Sequence, residues 1–374
     1  MQILLKKLLL EIDWNRFSDV NKRSLSAEDV ERILNIELDR LNSPKKDKEK
    51  ADPQFARISK GNIPTNEEGR ANIQQFIRDI TQLPKQIFDV GEKSKHSIDE
   101  HTSTINTGIP ALRAVLWDDD ENRFHVINTC PGAGSCIKDC YAMHGFYIMN
   151  DGKNIKLIRR LQLLMSDPDK YIDIAHKEAV VYAESANKQG KKLEIRWNDA
   201  GDFFSQAYFD VATTVTDKLL SAGYNVASYA YTKVGRFISL GTKKGMEMSF
   251  SLGAKESERV QVDMGKNKFS VIVGRDIFRP FFTPITKGFV KGPNGKSEFR
   301  DKENGPKELK VAIFNHYKNN PDIGRFLTLD SLKYTDELSR QQGRQHEFNV
   351  IVLPGDSDVG AQRKDVRGSF LLAH

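Results

Sequence analysis

Leu193-Glu-Ile-Arg-Trp197, then Asn198-Asp-Ala-Gly-Asp-Phe-Phe-Ser205, then a helical run from Gln206 to Ala222: this is the stretch from which the fold is read. The first part has the apolar alternation of a short strand. The second is a polar, glycine-bearing turn, and the third repeats apolar residues at helical spacing. The same order recurs along the chain. Strands are predicted at Phe124–Asn128, Asn225–Ala230, Glu247–Leu252, Phe269–Val273 and Phe348–Leu353, with helices at Ile155–Met165, Tyr171–Lys188 and Leu309–Lys318. Strands that alternate with helices of this length predict βαβ units and a mostly parallel sheet, an α/β fold.

Unusual residues gather where these strands end. A cluster of cysteines follows Asn128, and Asn198, Asp199, Gly201 and Asp202 follow Trp197. Tyr231, Thr232 and Lys233 follow the third strand, Gly253 and Gly274 the next two, and Asp356 and Asp358 the last. Parallel strands bring their carboxyl ends to one side, where α/β proteins bind ligands. One rim is therefore expected to hold one site.

All three cysteines of the chain lie in Cys130-Pro-Gly-Ala-Gly-Ser-Cys136-Ile-Lys-Asp-Cys140-Tyr-Ala-Met-His144. Thiolates at this density suit zinc, copper(I) or an iron–sulfur cluster, and Gly132 and Gly134 let the loop fold tightly enough for them to converge. Two readings stay open. The three thiolates hold a 4Fe–4S cluster with one iron left for a small molecule, or His144 joins Cys130, Cys136 and Cys140 in a closed zinc site. The first does chemistry; the second stabilises a fold.

Arg196 sits between apolar strand neighbours, so its charge needs a partner, with Asp199 and Asp202 the candidates. These groups and Gly201 form a polar nest suited to cofactor hydroxyls or an ammonium, while Asp202 or Ser205 is available to cap the following helix. Lys233 at the end of its strand can bind an anion or act as a base, and Lys233 and Asp199 are the candidate catalytic groups.

Residues 1–62 read as a separate N-terminal helical appendage. Leu4, Leu5, Leu8 and Leu9 recur at helical spacing, Ser26 with Asp29 resembles a capping box, and the charged, proline-bounded 44–62 has linker composition. Residues 63–374 are then the α/β core. The amino terminus lacks the apolar run and cleavage site of a signal peptide, and no segment spans a bilayer, so no membrane association is expected. Clustered, odd-numbered cysteines argue for a reducing, cytoplasmic setting. The net charge of +6, from 57 basic and 51 acidic residues, permits contact with nucleic acid without requiring it.

The combination of Cys-Pro-Gly-Ala…Cys…Cys-Tyr-Ala at 130–142, Arg-x-x-Asp-x-Gly-Asp-Phe-x-Ser at 196–205 and Tyr-Ala-Tyr-Thr-Lys at 229–233 resembles the bacteriophage gene-product-88-like proteins. More distantly, a three-cysteine loop at a strand end is similar to the radical S-adenosylmethionine enzymes. That second resemblance implies an incomplete (β/α) barrel, to which residues 1–62 add the N-terminal helical extension read from their spacing. It also implies Cys130, Cys136 and Cys140 as ligands of a 4Fe–4S cluster, with S-adenosylmethionine as co-substrate. The spacing here, x5 then x3, departs from that superfamily's usual x3 then x2. Together the two resemblances imply a phage-encoded iron–sulfur enzyme in the cytoplasm of an infected bacterial host, acting on a nucleotide, nucleic acid or other small substrate. The alternative is a zinc-stabilised nucleic-acid- or protein-binding phage protein without catalysis.

Overall fold

Two sheets organise the computed structural model, which describes residues 11–42, 60–90, 102–140, 142, 153–282, 299–339, 344–353 and 363–372. The larger has eight strands, all parallel, curled into a half-barrel. In chain order the strands are β1 (Lys22–Leu25), β2 (Thr102–Asn106), β3 (Arg113–Asp118), β4 (Arg123–Asn128), β5 (Lys192–Trp197), β6 (Val226–Thr232), β7 (Met246–Ser251), β8 (Lys268–Val273), β9 (Leu332–Tyr334), β10 (Phe348–Val352) and β11 (Val366–Leu372). Across the large sheet the order is β2-β5-β6-β7-β8-β11-β10-β9. The expected α/β class and partial barrel are thus present, and the C-terminal segment enters the sheet as β11, between β8 and β10.

One expected strand belongs elsewhere. Phe124–Asn128 was to be the first parallel strand, but β4 is the central strand of a three-stranded antiparallel sheet, β1-β4-β3. The reason is the short turn between Asp118 and Arg123, which can join only antiparallel neighbours, since a parallel pair needs a long crossover. The strand that does open the parallel sheet is β2, Thr-Ser-Thr-Ile-Asn, whose single apolar residue gives almost no strand signal.

The helices include α1 (Ala27–Asn42), α2 (Ile73–Ile80), α3 (Lys153–Ser166), α4 (Pro168–Lys188), α5 (Gln206–Ser221) and α6 (Arg236–Lys243); α3, α4 and α5 lie where periodicity placed them, and α6 was not predicted. Four of these starts are capped by side chains: Ser26 accepts from Asp29 N–H, Asn72 from Gln75, Asp167 from Lys170 and Ser205 from Tyr208. Among the described residues no helix is long and apolar enough to cross a membrane.

The strand register divides the large sheet into two faces of opposite character. Leu193, Ile195 and Trp197 on β5, Ala230 on β6, Met248 and Phe250 on β7, and Phe269 and Val271 on β8 belong to the main apolar core with Phe209, Val211 and Val215 of α5. The other face is polar across β5 to β7 and the start of β8, and turns apolar with Ile272, Leu371, Val350 and Val352 toward β10. Pairing aligns Asn106, Arg196, Tyr229 and Glu247 in one row, Tyr231, Ser249 and Lys268 in the next, and Ser251, Ser270 and Ser369 in a third.

The N-terminal segment is sewn into the same body rather than hung from it. Ile12 and Phe17 lie in the main core, Phe17 stacking on Phe204 at 6.2 Å. Val30, Leu34 and Leu38 of α1 pack with Phe76, Ile80, Trp117 and Phe124 in a second core. Most of the expected linker, 43–59, lies outside the described residues, as do 1–10 with Leu4, Leu5, Leu8 and Leu9.

Candidate functional site

The cysteine loop is held by glycines against the carboxyl ends of β6 and β7. At Gly132 a Cβ would overlap the Lys233 carbonyl, and at Gly134 it would stand 2.7 Å from the Ala254 backbone. Gly134 N–H and Cys136 N–H both donate to Gly253 O, at 3.0 and 3.3 Å, and Lys255 N–H donates to Gly132 O at 2.9 Å. Gly253 itself has φ of 91°, a conformation open to glycine at little cost. The backbone of the loop therefore extends the sheet's rim, and its side chains are presented there.

None of the cysteines is disulfide-bonded. Cys130 and Cys140 border one small apolar cluster with Ala111, Leu112, Ala142, Leu157 and Ala200. Cys136 lies beside Gly253. Cys130, Cys136 and Cys140 are all half-buried. Leu112 N–H donates to Cys130 Sγ at 3.3 Å. Burial pushes the Cys130 thiol up to about 12, with Asp202 adding to the rise. A bound cation would be needed to make it a thiolate at neutral pH.

Asp202 is the internal staple of this rim. Its carboxylate accepts from Thr232 Oγ1 at 2.6 Å, Lys233 N–H at 2.8 Å and Phe203 N–H at 2.7 Å, while its own N–H donates to Thr129 O at 3.0 Å. One residue so ties the end of β4, the β5 turn and the end of β6. Burial raises its carboxyl above the ordinary range against the opposing pull of Lys233 and these hydrogen bonds. The helix cap that Asp202 was a candidate for is Ser205 instead. Gly201, at φ of 77°, faces Ile109, whose side chain would collide with any Cβ there.

Arg196 pairs with Asp199 at 3.9 Å, and its guanidinium lies 5.5 Å from the Tyr231 ring centroid. The charge expected to need a partner thus has the expected one. Lys153 of α3 is close enough for Asp199 and Asp89 to act on it, yet burial outweighs them and lowers its pKa. Lys156 and Arg160 bind Asp89, the latter at 3.1 Å. Lys233 is joined to the cysteines through the Gly132 contact and its charge acts on Cys130. His144, Asp356 and Asp358 lie outside the described residues.

Sequence reasoning missed the polar face beneath the loop. Glu194, Ser249, Ser251, Lys268, Ser270 and Ser369 are all buried. Lys268 pairs with Glu247 at 3.0 Å. Asn106 Oδ1, Ser249 Oγ and Ser270 Oγ are buried with no hydrogen-bond partner. Orphaned polar atoms of this kind are expensive to keep unless something else satisfies them. The signal was present in Met-Glu-Met-Ser-Phe-Ser at 246–251, where every second residue is polar.

A family model described as Gene product 88 matches residues 90–271, a span that takes in the cysteine loop, the 196–205 turn and Lys233. Comparison with curated proteins and comparison with solved structures each returned no match.

Proposed function

We propose that the chain is a phage-encoded iron–sulfur enzyme of the radical S-adenosylmethionine kind, with Cys130, Cys136 and Cys140 as cluster ligands and the polar face of the half-barrel as the substrate surface. The observation that carries this reading is the position of the cysteine loop. Gly132 against Lys233 and Gly134 against Ala254 hold the thiols over the strand ends from which that face begins. The donor set fits the group. Three thiols on one loop, none of them disulfide-bonded, are donors of the kind an iron–sulfur cluster takes. Bound there, the cluster supplies single electrons and an open iron for a small co-substrate.

The protein's own groups do the rest. Arg196, steadied by Asp199 and Tyr231, offers a planar cation to a carboxylate or phosphate. Lys233 projects its charge toward Cys130, and Asp202 fixes the backbone of both. Ser249, Ser270 and Asn106 have hydrogen-bonding capacity to give a polar substrate.

The test is S-adenosylmethionine binding to anaerobically reconstituted protein, followed by electron paramagnetic resonance of the reduced cluster. The reading expects a spectrum that changes on addition of the co-substrate, and weaker binding in Arg196→Ala. A colourless protein holding one zinc, lost in Cys136→Ala, would overturn it in favour of a non-catalytic zinc-stabilised binding protein.

A further inference from the structure

A second cluster of metal-ligating side chains lies apart from the cysteine loop, on the antiparallel sheet. Asp118 ends β3, Glu121 stands in the turn and His125 lies on β4, one strand away in register from Leu116. Their ligand atoms all fall within 4.8 Å of one another. His125 Nε2 is 3.7 Å from Asp118 Oδ2 and 3.3 Å from Glu121 Oε2. The histidine side chain is wholly buried, and Nε2 makes no hydrogen bond. Both carboxylate oxygens therefore flank the nitrogen without lying in line with a proton on it.

That is the arrangement of ligands around a cation. In a tetrahedral site with metal–ligand bonds of about 2.0–2.2 Å, neighbouring ligand atoms are about 3.3–3.6 Å apart. The outer contacts also match. His125 Nδ1 lies 3.2 Å from Ser24 Oγ, so a proton on Nδ1 leaves the Nε2 lone pair facing the carboxylates. Trp14 Nε1 donates to Asp118 Oδ2 at 2.8 Å, while Asp118 Oδ1 accepts from Asp120 and Glu121 N–H. Lys22 holds Glu121 through Oε1 at 3.0 Å, which leaves Oε2 on the histidine side. Arg123 lies 3.7 Å from that oxygen. Two carboxylates and a neutral imidazole match the charge of a dication, and the exposed Glu121 side gives it a way in.

We propose that Asp118, Glu121 and His125 bind one divalent first-row cation, zinc foremost, and that it pins the β3–β4 turn to the N-terminal segment carrying Trp14, Lys22 and Ser24. Imidazole and carboxylate donors suit zinc and its divalent first-row neighbours. The site is independent of the cysteine loop and stands whatever that loop holds.

The test is equilibrium dialysis of the full chain against micromolar Zn2+, with bound metal counted by mass spectrometry and folding followed by circular dichroism. Wild type is expected to hold one more zinc per chain than His125→Gln. Glu121→Gln, on the exposed side and safe for folding, should weaken that equivalent at least about tenfold, and Ser24→Ala by about tenfold through the lost orientation of the ring. Cys136→Ser should leave that equivalent in place. If folded Glu121→Gln binds as many zinc ions as wild type, and as tightly, the proposal is wrong.

Discussion

Asp202 and Arg196 are both charged residues near the end of β5, and they were unequally legible. A strand arginine between Ile195 and Trp197 announces its need for a counter-charge, and Asp199 supplies it as expected. Asp202 gave an ambiguous signal because an aspartate before a helix reads equally as a cap or a site residue, and its Thr232 and Lys233 partners are thirty residues away. Its loss should be costly. Asp202→Ala leaves a hydroxyl and two amides without their acceptor, and a penalty of about 3 kcal/mol or more is expected in urea denaturation. Asp202→Asn, which keeps one acceptor, should cost less. Asp89 gives a prediction in pH. Burial alone would raise its carboxyl, but Arg160 and Lys156 prevail and lower it. Its folded pKa is then below the unfolded one, so its contribution is complete above the ordinary carboxylate range and is lost as pH falls through the lowered value. Asp89→Asn should therefore be less stable than wild type at neutral pH, with the difference narrowing in acid.

At the scale of elements, the long helices and the strands β5 to β8 were legible because they bury one apolar face each, and that periodicity survives in the sequence. β2 and β9 were not, being short and on the two edges of the sheet. β4 was found but misassigned, since strand signals carry no partner information. The N-terminal segment is the instructive case. A charged linker suggests a boundary, yet Phe17 returns to the main core and β1 pairs with β4. Phe17→Ala is expected to cost about 3 kcal/mol or more. A chain beginning at residue 63 would lose all these contacts, so it should be insoluble or melt without cooperativity; a sharp, wild-type-like transition would show that this segment is dispensable. The cysteine loop permits a test that alters no ligand. Gly132→Ala would drive a methyl into the Lys233 carbonyl, and it should reduce metal content several-fold by lifting the loop from the strand ends.

The described molecule is a half-barrel with one face in the main apolar core, a second face that is polar across β5 to β7, and a three-thiol loop at the rim. Cys130 reaches that rim from β4, a strand of the antiparallel sheet, whereas the class of fold and the meeting of Asp202 and Lys233 at one rim followed from parallel strands. The polar face did not, because it emerges only when Glu247, Ser249, Lys268 and Ser270 are brought side by side by register across strands distant in sequence. The iron–sulfur cluster proposed for these thiols would lie above that face. It is tested most directly by iron and acid-labile sulfide analysis, with the visible spectrum, of the full chain purified without oxygen. A brown protein with about four iron and four sulfide per chain is predicted, with both lost in Cys130→Ala, Cys136→Ala and Cys140→Ala. A colourless chain whose cysteines bind zinc, or no metal, would contradict the account.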